Sequence, residues 1–512
     1  MIKNTLLAIL CLCFCMLNAQ KEDYIWLAGY ESVSGYDTNS HHWFGISKFD
    51  FNQQPVTLSR DSLNIWFFRS NSTISDNVGQ NILFYSNGNE IRNSLDEIIE
   101  NGDSLGCIDG SWFTKTYGIP GLYQYHIVLP NPLNTSQYDF FHCFVDSFNQ
   151  SNGQFIGGKK LLHTRVDVSL NNFHGGIIKK NELVLSEENC VAVSAVRHGN
   201  GRDWWLCTNK TSSNCYTTIL FNGTDSIKRI TSCGGSNSAR GYGVPERFSP
   251  DGNYFVSSTT NNGSINIFNF DRCNGELDLR ESFIIPELRD SFVHWWANSI
   301  EFSPNNRYLY IISIKRIYQY DLWESNIESS KRIIANYNDT FGCPFGHSYF
   351  QAQLAPDGKI YINSGNGGYC VSVIDHPDEE SDSCHFILNY ELPTFINGLP
   401  YYPNYRLGAL AGSACDTITT LTPTLSQRER ELKVFPNPAT DIVTIDYGYT
   451  NWEKGDVDLE IANAAGQLIY TQHLPMYSGF QRLDVTQYAR GAYNVVIKRG
   501  NTIVATSQFV KQ

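Results

Sequence analysis

The chain has 512 residues, a formal net charge of −13, 41% hydrophobic residues and 13% aromatic residues. That apolar content suffices for two or three packed domains and excludes a chain disordered throughout. No basic stripe accompanies the acidic balance, which argues against nucleic acid or an anionic membrane as partner, because phosphate affinity needs clustered Lys and Arg.

Residues 1–19 read as a signal peptide, with Lys3 as the positive end, Thr5 to Leu17 as a short apolar core and Ala19 before the cut. Cys11, Cys13 and Cys15 follow Leu10, Leu12 and Phe14, where a lipid-anchoring signal wants a small residue. No later stretch is long and apolar enough for a transmembrane helix.

Strand patterns begin at once. Tyr24 to Tyr30, Phe44 to Phe51 and Val56 to Arg60 form an incomplete unit short of one strand. A second unit spans about Ile65 to Leu105, with Asn87-Gly88 as a hairpin turn. Four runs between Tyr123 and Leu185 make a third, and four between Cys190 and Cys233 a fourth. Three further units carry matching turns at Phe248-Ser-Pro-Asp-Gly252, Phe302-Ser-Pro-Asn-Asn306 and Leu354-Ala-Pro-Asp-Gly358, spaced by 54 and 52 residues. Pro presets one turn residue, and Gly or Asn tolerates positive φ at the next corner. A strand–turn–strand unit at this period marks a propeller blade.

The expectation is an all-β chain: a seven-bladed β-propeller over residues 20–413, then a small immunoglobulin-like β-sandwich over 432–512. Six and eight blades remain alternatives, since the count follows from strand boundaries. Pro400 to Gly408 is placed to supply the missing strand and close the ring, which removes a sheet edge. Residues 414–431 read as a linker, polar and without an apolar period.

The tail resembles the C-terminal sorting domain of type IX secretion, found in the Bacteroidetes. The resemblance rests on Val434-Phe-Pro-Asn-Pro-Ala-Thr-Asp441, Ile461-Ala-Asn-Ala-Ala-Gly-Gln467, Gly491-Ala-Tyr493 and Phe509-Val-Lys511. Pro436, Asn437, Pro438, Gly466, Gly491, Tyr493 and Lys511 carry the sorting signal in that resemblance. It implies export across the outer membrane, the secretion machinery as partner, and a protein that is secreted or held at the outer surface. The body resembles exported propeller proteins with this tail, and WD-repeat and lactonase-type propellers in period and turn chemistry. It departs from the WD pattern, since no regular Gly-His and Trp-Asp pair recurs blade by blade, so the likeness is one of architecture.

Eleven cysteines follow the signal, which in an exported protein favours disulfides over metal sites. Cys207 with Cys215, and Cys370 with Cys384, are the candidate pairs, because each falls on consecutive expected strands. An odd total leaves one thiol without a partner in the chain. The sharpest polar cluster is His198-Gly-Asn-Gly-Arg-Asp-Trp-Trp205, in which His198, Arg202 and Asp203 are candidate ligand-binding residues. The alternative is a network that ties strands together, and it is favoured because no nucleophile or spaced acid lies nearby. Trp295, Trp296, Tyr401 and Tyr402 are candidate sugar-stacking faces, weighed against ordinary core packing.

His41, His42, His174 and His347 lack metal-ligand spacing, and residues 378–382 read as a solvated acidic turn. No metal, cofactor or catalytic motif stands out. The sequence therefore points to a secreted or surface binding or scaffold protein whose ligand is a polysaccharide or a surface protein. The alternative is an exported hydrolase or lyase acting on a glycan or lactone at the propeller channel.

Overall fold

The computed structural model describes residues 20–31, 36–37, 42–106, 124–145, 148–149, 154–155, 159–186, 192–210, 213–224, 228–237, 245–259, 263–289, 297–337, 343, 348–416, 432–435, 438–446, 457–463, 467–474, 480–499 and 502–512. The chain divides into two compact units, Met1–Cys415 and Asp416–Gln512.

In the first unit, antiparallel sheets follow one another along the chain, and seven are described besides a short hairpin. The first holds Ile25–Gly29, Ile46–Asp50 and Thr57–Asp61. The second holds Ser72–Ser75, Ile82–Ser86 and Ile91–Asn93. The third runs His126–Pro130, Gln137–Val145, Lys159–Asp167 and Gly176–Leu185. The fourth runs Ser194–Arg197, Trp204–Asn209, Cys215–Phe221 and Lys228–Cys233.

The fifth starts at Glu246–Phe248, the sixth at Ala297–Phe302 and the seventh at Tyr349–Leu354. Each is a meander from that strand onward, and the seventh sheet is extended at its far edge by His42–Trp43, paired in parallel through Trp43 and Thr394, and by Tyr36–Asp37. Leading strands of adjacent sheets touch, as Ser194–Arg197 meets Glu246–Phe248 and Ala297–Phe302 meets Tyr349–Leu354. The last strand of the seventh meander, Phe386–Ile396, packs on the first sheet and pairs with His42–Trp43 from the start of the chain, so the series closes on itself. There Ser47 Oγ lies 2.7 Å from Thr394 Oγ1. This is the radial arrangement of a β-propeller.

The proline turns form as their chemistry demands. Gly252 donates its N–H to the Ser249 carbonyl at 2.8 Å, and Gly358 to that of Ala355 at 3.0 Å. Gly252, Asn306 and Gly358 all hold positive φ, at 72°, 62° and 81°. Outside the turns the strands bury large residues on both faces. Trp26, Trp204, Trp205, Tyr310 and Tyr361 are among the largest fully buried side chains. That is why these runs read as nearly continuous apolar stretches instead of clean alternation.

Two sequence expectations are corrected here. Pro400 to Gly408 carries no strand and completes no sheet. The expected disulfides also re-pair. Cys215 bonds Cys233, its direct cross-strand partner, while Cys207 lies opposite Thr218 and stays a buried free thiol. Cys370 bonds Cys343, because it faces Glu391 across the sheet and Cys384 sits in the turn beyond the strand end as a second buried free thiol. Cys273 bonds Cys415, and Cys143 is also disulfide-bonded.

The second unit has two antiparallel sheets. One orders Lys433–Phe435, Ile442–Asp446 and Phe480–Asp484; the other orders Leu468–Leu474, Val457–Asn463, Gly491–Arg499 and Thr502–Lys511. Val443 and Ile445 from one sheet share a core with Ile461, Val495 and Phe509 from the other. Pro436, Asn437 and Gly466 lie outside the described residues. Tyr493 stacks on Phe509 at 5.2 Å, and Gly491 pairs with Lys511 where the last two strands meet.

Candidate functional site

A propeller places its ligand sites around the leading strands, where sheets converge. Here that space is crossed by the protein's own segment 397–410. Leu399 N–H donates to Gln351 Oε1 at 3.1 Å and Tyr402 N–H to Gln353 Oε1 at 3.1 Å, both on the seventh sheet. Tyr401 Oη donates to the Glu246 carbonyl of the fifth sheet at 3.2 Å. Tyr405 Oη donates to the Val128 carbonyl of the third at 2.7 Å. The Tyr402 ring lies 6.0 Å from that of Trp26 in the first sheet, and its hydroxyl reaches Thr73 in the second. Arg406 pairs with Asp23, just ahead of the first sheet, with Nη2 to Oδ2 at 2.9 Å. Close approach is built in at Gly398, where a Cβ would stand 1.9 Å from the Phe68 carbonyl oxygen.

Arg247 is the hub beneath this strap. Its guanidinium donates to the carbonyls of Ile300, Ala352 and Tyr402, pairs with Glu301 Oε2 at 2.7 Å and lies 4.4 Å above the Tyr401 ring. Glu301 also accepts the N–H groups of Phe302 and Leu354. Burial raises its pKa from the ordinary carboxylate value, opposed by Arg247. A buried charge needs such a full set of partners, and Glu301 has them.

Two other carboxyls are sealed nearby. Burial pushes Glu246 well above the ordinary range, opposed by the backbone of Asn209. Burial pushes Glu22 up to about 7, opposed by the charge of Arg197. His126, buried between Ser70 Oγ at 2.8 Å and Ser72 Oγ at 3.2 Å, is pulled down to about 3 by burial and by the neighbouring His142. Burial favours the neutral forms of these groups, and Glu301 is fully engaged. None is poised beside open solvent for acid–base work.

The His198 cluster meets the far end of the same strap. His198 Nε2 lies 3.1 Å from the Cys273 carbonyl oxygen, and Gly199 accepts the Leu410 N–H at 2.7 Å. A Cβ on Gly199 would fall 2.4 Å from Cys415 Sγ, so a side chain at 199 would collide with the Cys273–Cys415 bond. Asp203 caps the turn, accepting from Asn200 Nδ2 at 2.8 Å and Arg202 Nε at 2.7 Å. Trp205 donates to the Arg272 carbonyl at 2.8 Å, and Arg272 reaches the Gly408 carbonyl. The structure thus brings His198, Arg202 and Asp203 together, and sets Tyr401 and Tyr402 apart from them at the centre of the ring. Trp295 and Trp296 lie outside the described residues, as do His41 and His347, and the side chain of His42 is not described. His174 is exposed and hydrogen-bonds Glu97 at 3.0 Å.

Sequence reasoning missed Arg247, Glu301 and Gln353, whose only signal was a polar residue on a strand otherwise reading as core. It also missed one cluster with ligand atoms for a metal, Asp375, His376 and His385, whose donors lie within 4.8 Å of one another. Among the described residues, no helix is long and apolar enough to cross a membrane.

Comparisons with known proteins divide along the same boundary as the fold. No curated protein matches the chain. A provisionally assigned 6-phosphogluconolactonase of Bacteroides uniformis is similar in structure over 74% of this chain and 99% of its own, at 12% identity and a TM-score of 0.41. A periplasmic gluconolactonase of Pseudomonas aeruginosa is similar over 73% and 98%, at 11% identity and a TM-score of 0.37. A β-propeller domain from Myceliophteria thermophila is similar over 66% and 93%, at 11% identity and a TM-score of 0.35. At these scores the description of the body rests on its own sheets. Residues 433–512 match the family described as secretion system C-terminal sorting domain. The protein is therefore cargo of the type IX secretion system, secreted or attached at the cell surface.

Proposed function

We propose that the body is a seven-bladed β-propeller joined by a linker over 414–431 to an immunoglobulin-like sorting sandwich, and that the exported protein is a binding or scaffold component. Its ligand is a polysaccharide or a surface protein, engaged on the outer rims of the sheets. The observation that supports this reading is the strap: Tyr402 and Tyr405, both buried, occupy the centre where a small substrate would otherwise sit. In this reading His198, Asp203, Tyr401 and Tyr402 serve the closure of the body, and Arg202 is left as the candidate facing solvent.

The test uses the purified full-length chain. It is expected to bind one class of surface glycan on an array, or to crosslink to one surface protein on intact cells, and to turn over none of a panel of lactones and glycans. Turnover of any of them, or failure of both binding assays, would overturn the reading.

A further inference from the structure

We infer that Asp375, His376 and His385 form a binding site for a divalent transition metal of the zinc class. The three residues sit at the turn joining Gly368–Ile374 to Phe386–Ile396 in the seventh sheet. Backbone pairing sets their positions: Asp375 N–H donates to the His385 carbonyl at 3.2 Å, and His376 N–H to that of Cys384 at 2.9 Å. The turn is further pinned to the sixth sheet. Tyr310 Oη donates to the Pro377 carbonyl at 2.8 Å, Gln319 Nε2 to that of Glu379 at 2.7 Å, and the Asn305 N–H to Asp378 Oδ1 at 2.9 Å. The backbone that carries the three ligands is thus fixed before any ion arrives, which lowers the entropy cost of binding.

The donor geometry matches the ion. Asp375 Oδ2 lies 3.0 Å from His385 Nδ1 and 3.6 Å from His376 Nε2. Donors around a tetrahedral zinc with bonds of about 2.0–2.1 Å stand about 3.3 Å apart. Two imidazole nitrogens therefore converge on one carboxylate oxygen, His385 at hydrogen-bond distance and His376 just beyond it, at spacings close to those around a shared cation. Imidazole and carboxylate together suit zinc, copper or nickel better than calcium or magnesium, which prefer oxygen alone.

Lys359 faces the same carboxylate, with Nζ 2.5 Å from Asp375 Oδ1. It occupies the other oxygen and leaves Oδ2 as a single ligand, an outer partner that fixes carboxylate orientation. Its positive charge works against the ion. Glu379, Glu380 and Asp382 on the same turn supply negative charge, of which Glu380 is partly taken by Arg332 at 3.3 Å. Both histidines are more than half exposed, so the remaining coordination positions open to solvent.

The test is calorimetric titration of the untagged full-length chain, stripped with a chelator, with zinc chloride at pH 7.5. One saturable site per chain is expected, and its affinity is expected to fall more than about tenfold in His376→Ala and in His385→Ala. Both histidine side chains are exposed, so the metal-free variants keep the wild-type thermal midpoint, which separates lost ligation from lost fold. Absence of a saturable site in the wild type, or a site unchanged in the double His376→Ala/His385→Ala variant, overturns the inference.

Discussion

Tyr402 Oη donates to the Thr73 carbonyl at 2.8 Å and accepts the Thr73 N–H at 3.2 Å, across 329 residues of chain. A single phenol thus satisfies both backbone groups of one buried strand residue. Tyr402→Phe leaves a buried donor and a buried acceptor without partners, at a cost of roughly 1–3 kcal/mol each. Urea denaturation of the variant is expected to show about 2–4 kcal/mol lost, and a change under half a kcal/mol would show that the strap is not packed as described.

Arg247 and Glu301 give the second expectation. Arg247→Met strands the Glu301 carboxylate in the interior, and breaking a buried pair from one side costs roughly 3–5 kcal/mol. Adding Glu301→Gln is expected to restore part of that loss, because the uncompensated charge goes. A double-mutant cycle reads the coupling directly, and additive losses would contradict the pairing at 2.7 Å.

Glu22 sets a limb of the stability profile on the neutral side. Its pKa stands at about 7 in the folded protein against 4.5 as the ordinary value, so the folded state holds a proton that the unfolded state releases. The unfolded chain binds fewer protons between these values, and stability falls as pH rises from about 4.5 to 7. The full effect is on the order of 3 kcal/mol. Glu22→Gln is expected to flatten this limb and raise the melting temperature at pH 7.5; an unchanged slope would refute the assignment.

His126 acts in the opposite direction. Its pKa is depressed to about 3 from 6.5, so the unfolded state gains a proton that the folded state refuses. Stability is full above about 6.5 and is lost as pH falls toward 3, by on the order of 5 kcal/mol at the limit. His126→Gln, which can still hydrogen-bond Ser70 and Ser72, is expected to lose less stability between pH 6.5 and 4 than the wild type. Chemical denaturation at the two pH values makes the comparison.

Gly199→Ala tests the far end of the strap. The added methyl would lie 2.4 Å from Cys415 Sγ and 3.0 Å from Cys273 Sγ. The two sulfurs are expected to stay apart in a fraction of molecules, so thiol titration under denaturing conditions reads up to two more thiols than in wild type. An unchanged thiol count with unchanged stability would mean that the backbone yields there at no cost.

Much of the body was legible because its signals are local. A Pro followed by Asp-Gly or Asn-Asn fixes a corner by the φ preferences of two residues, and Gly252 and Asn306 adopt the conformations those residues favour. The tail strand 457–463 was legible for a related reason, since it alternates apolar and polar residues. The strap was not, because segment 397–410 has no period; Tyr401 and Tyr402 read equally well as sugar platforms until their hydroxyls are seen to reach Glu246 and Thr73. Disulfides failed for a related reason. Adjacent strands bring Cys207 near Cys215 in sequence, but register sets Cys207 against Thr218 and gives Cys215 to Cys233. The His376 and His385 pair hid because a short helical turn over Ser381–Cys384 folds nine positions of chain back on itself.

The bond between Cys273 and Cys415 sits at the last residue of the first unit, immediately before the chain leaves for the tail. Any pull on the chain beyond Cys415 arrives along the polypeptide at this point. A covalent link to the fifth sheet hands the pull to the rigid wall, upstream of Tyr402 and Tyr405. The tether can be hauled on without drawing the plug.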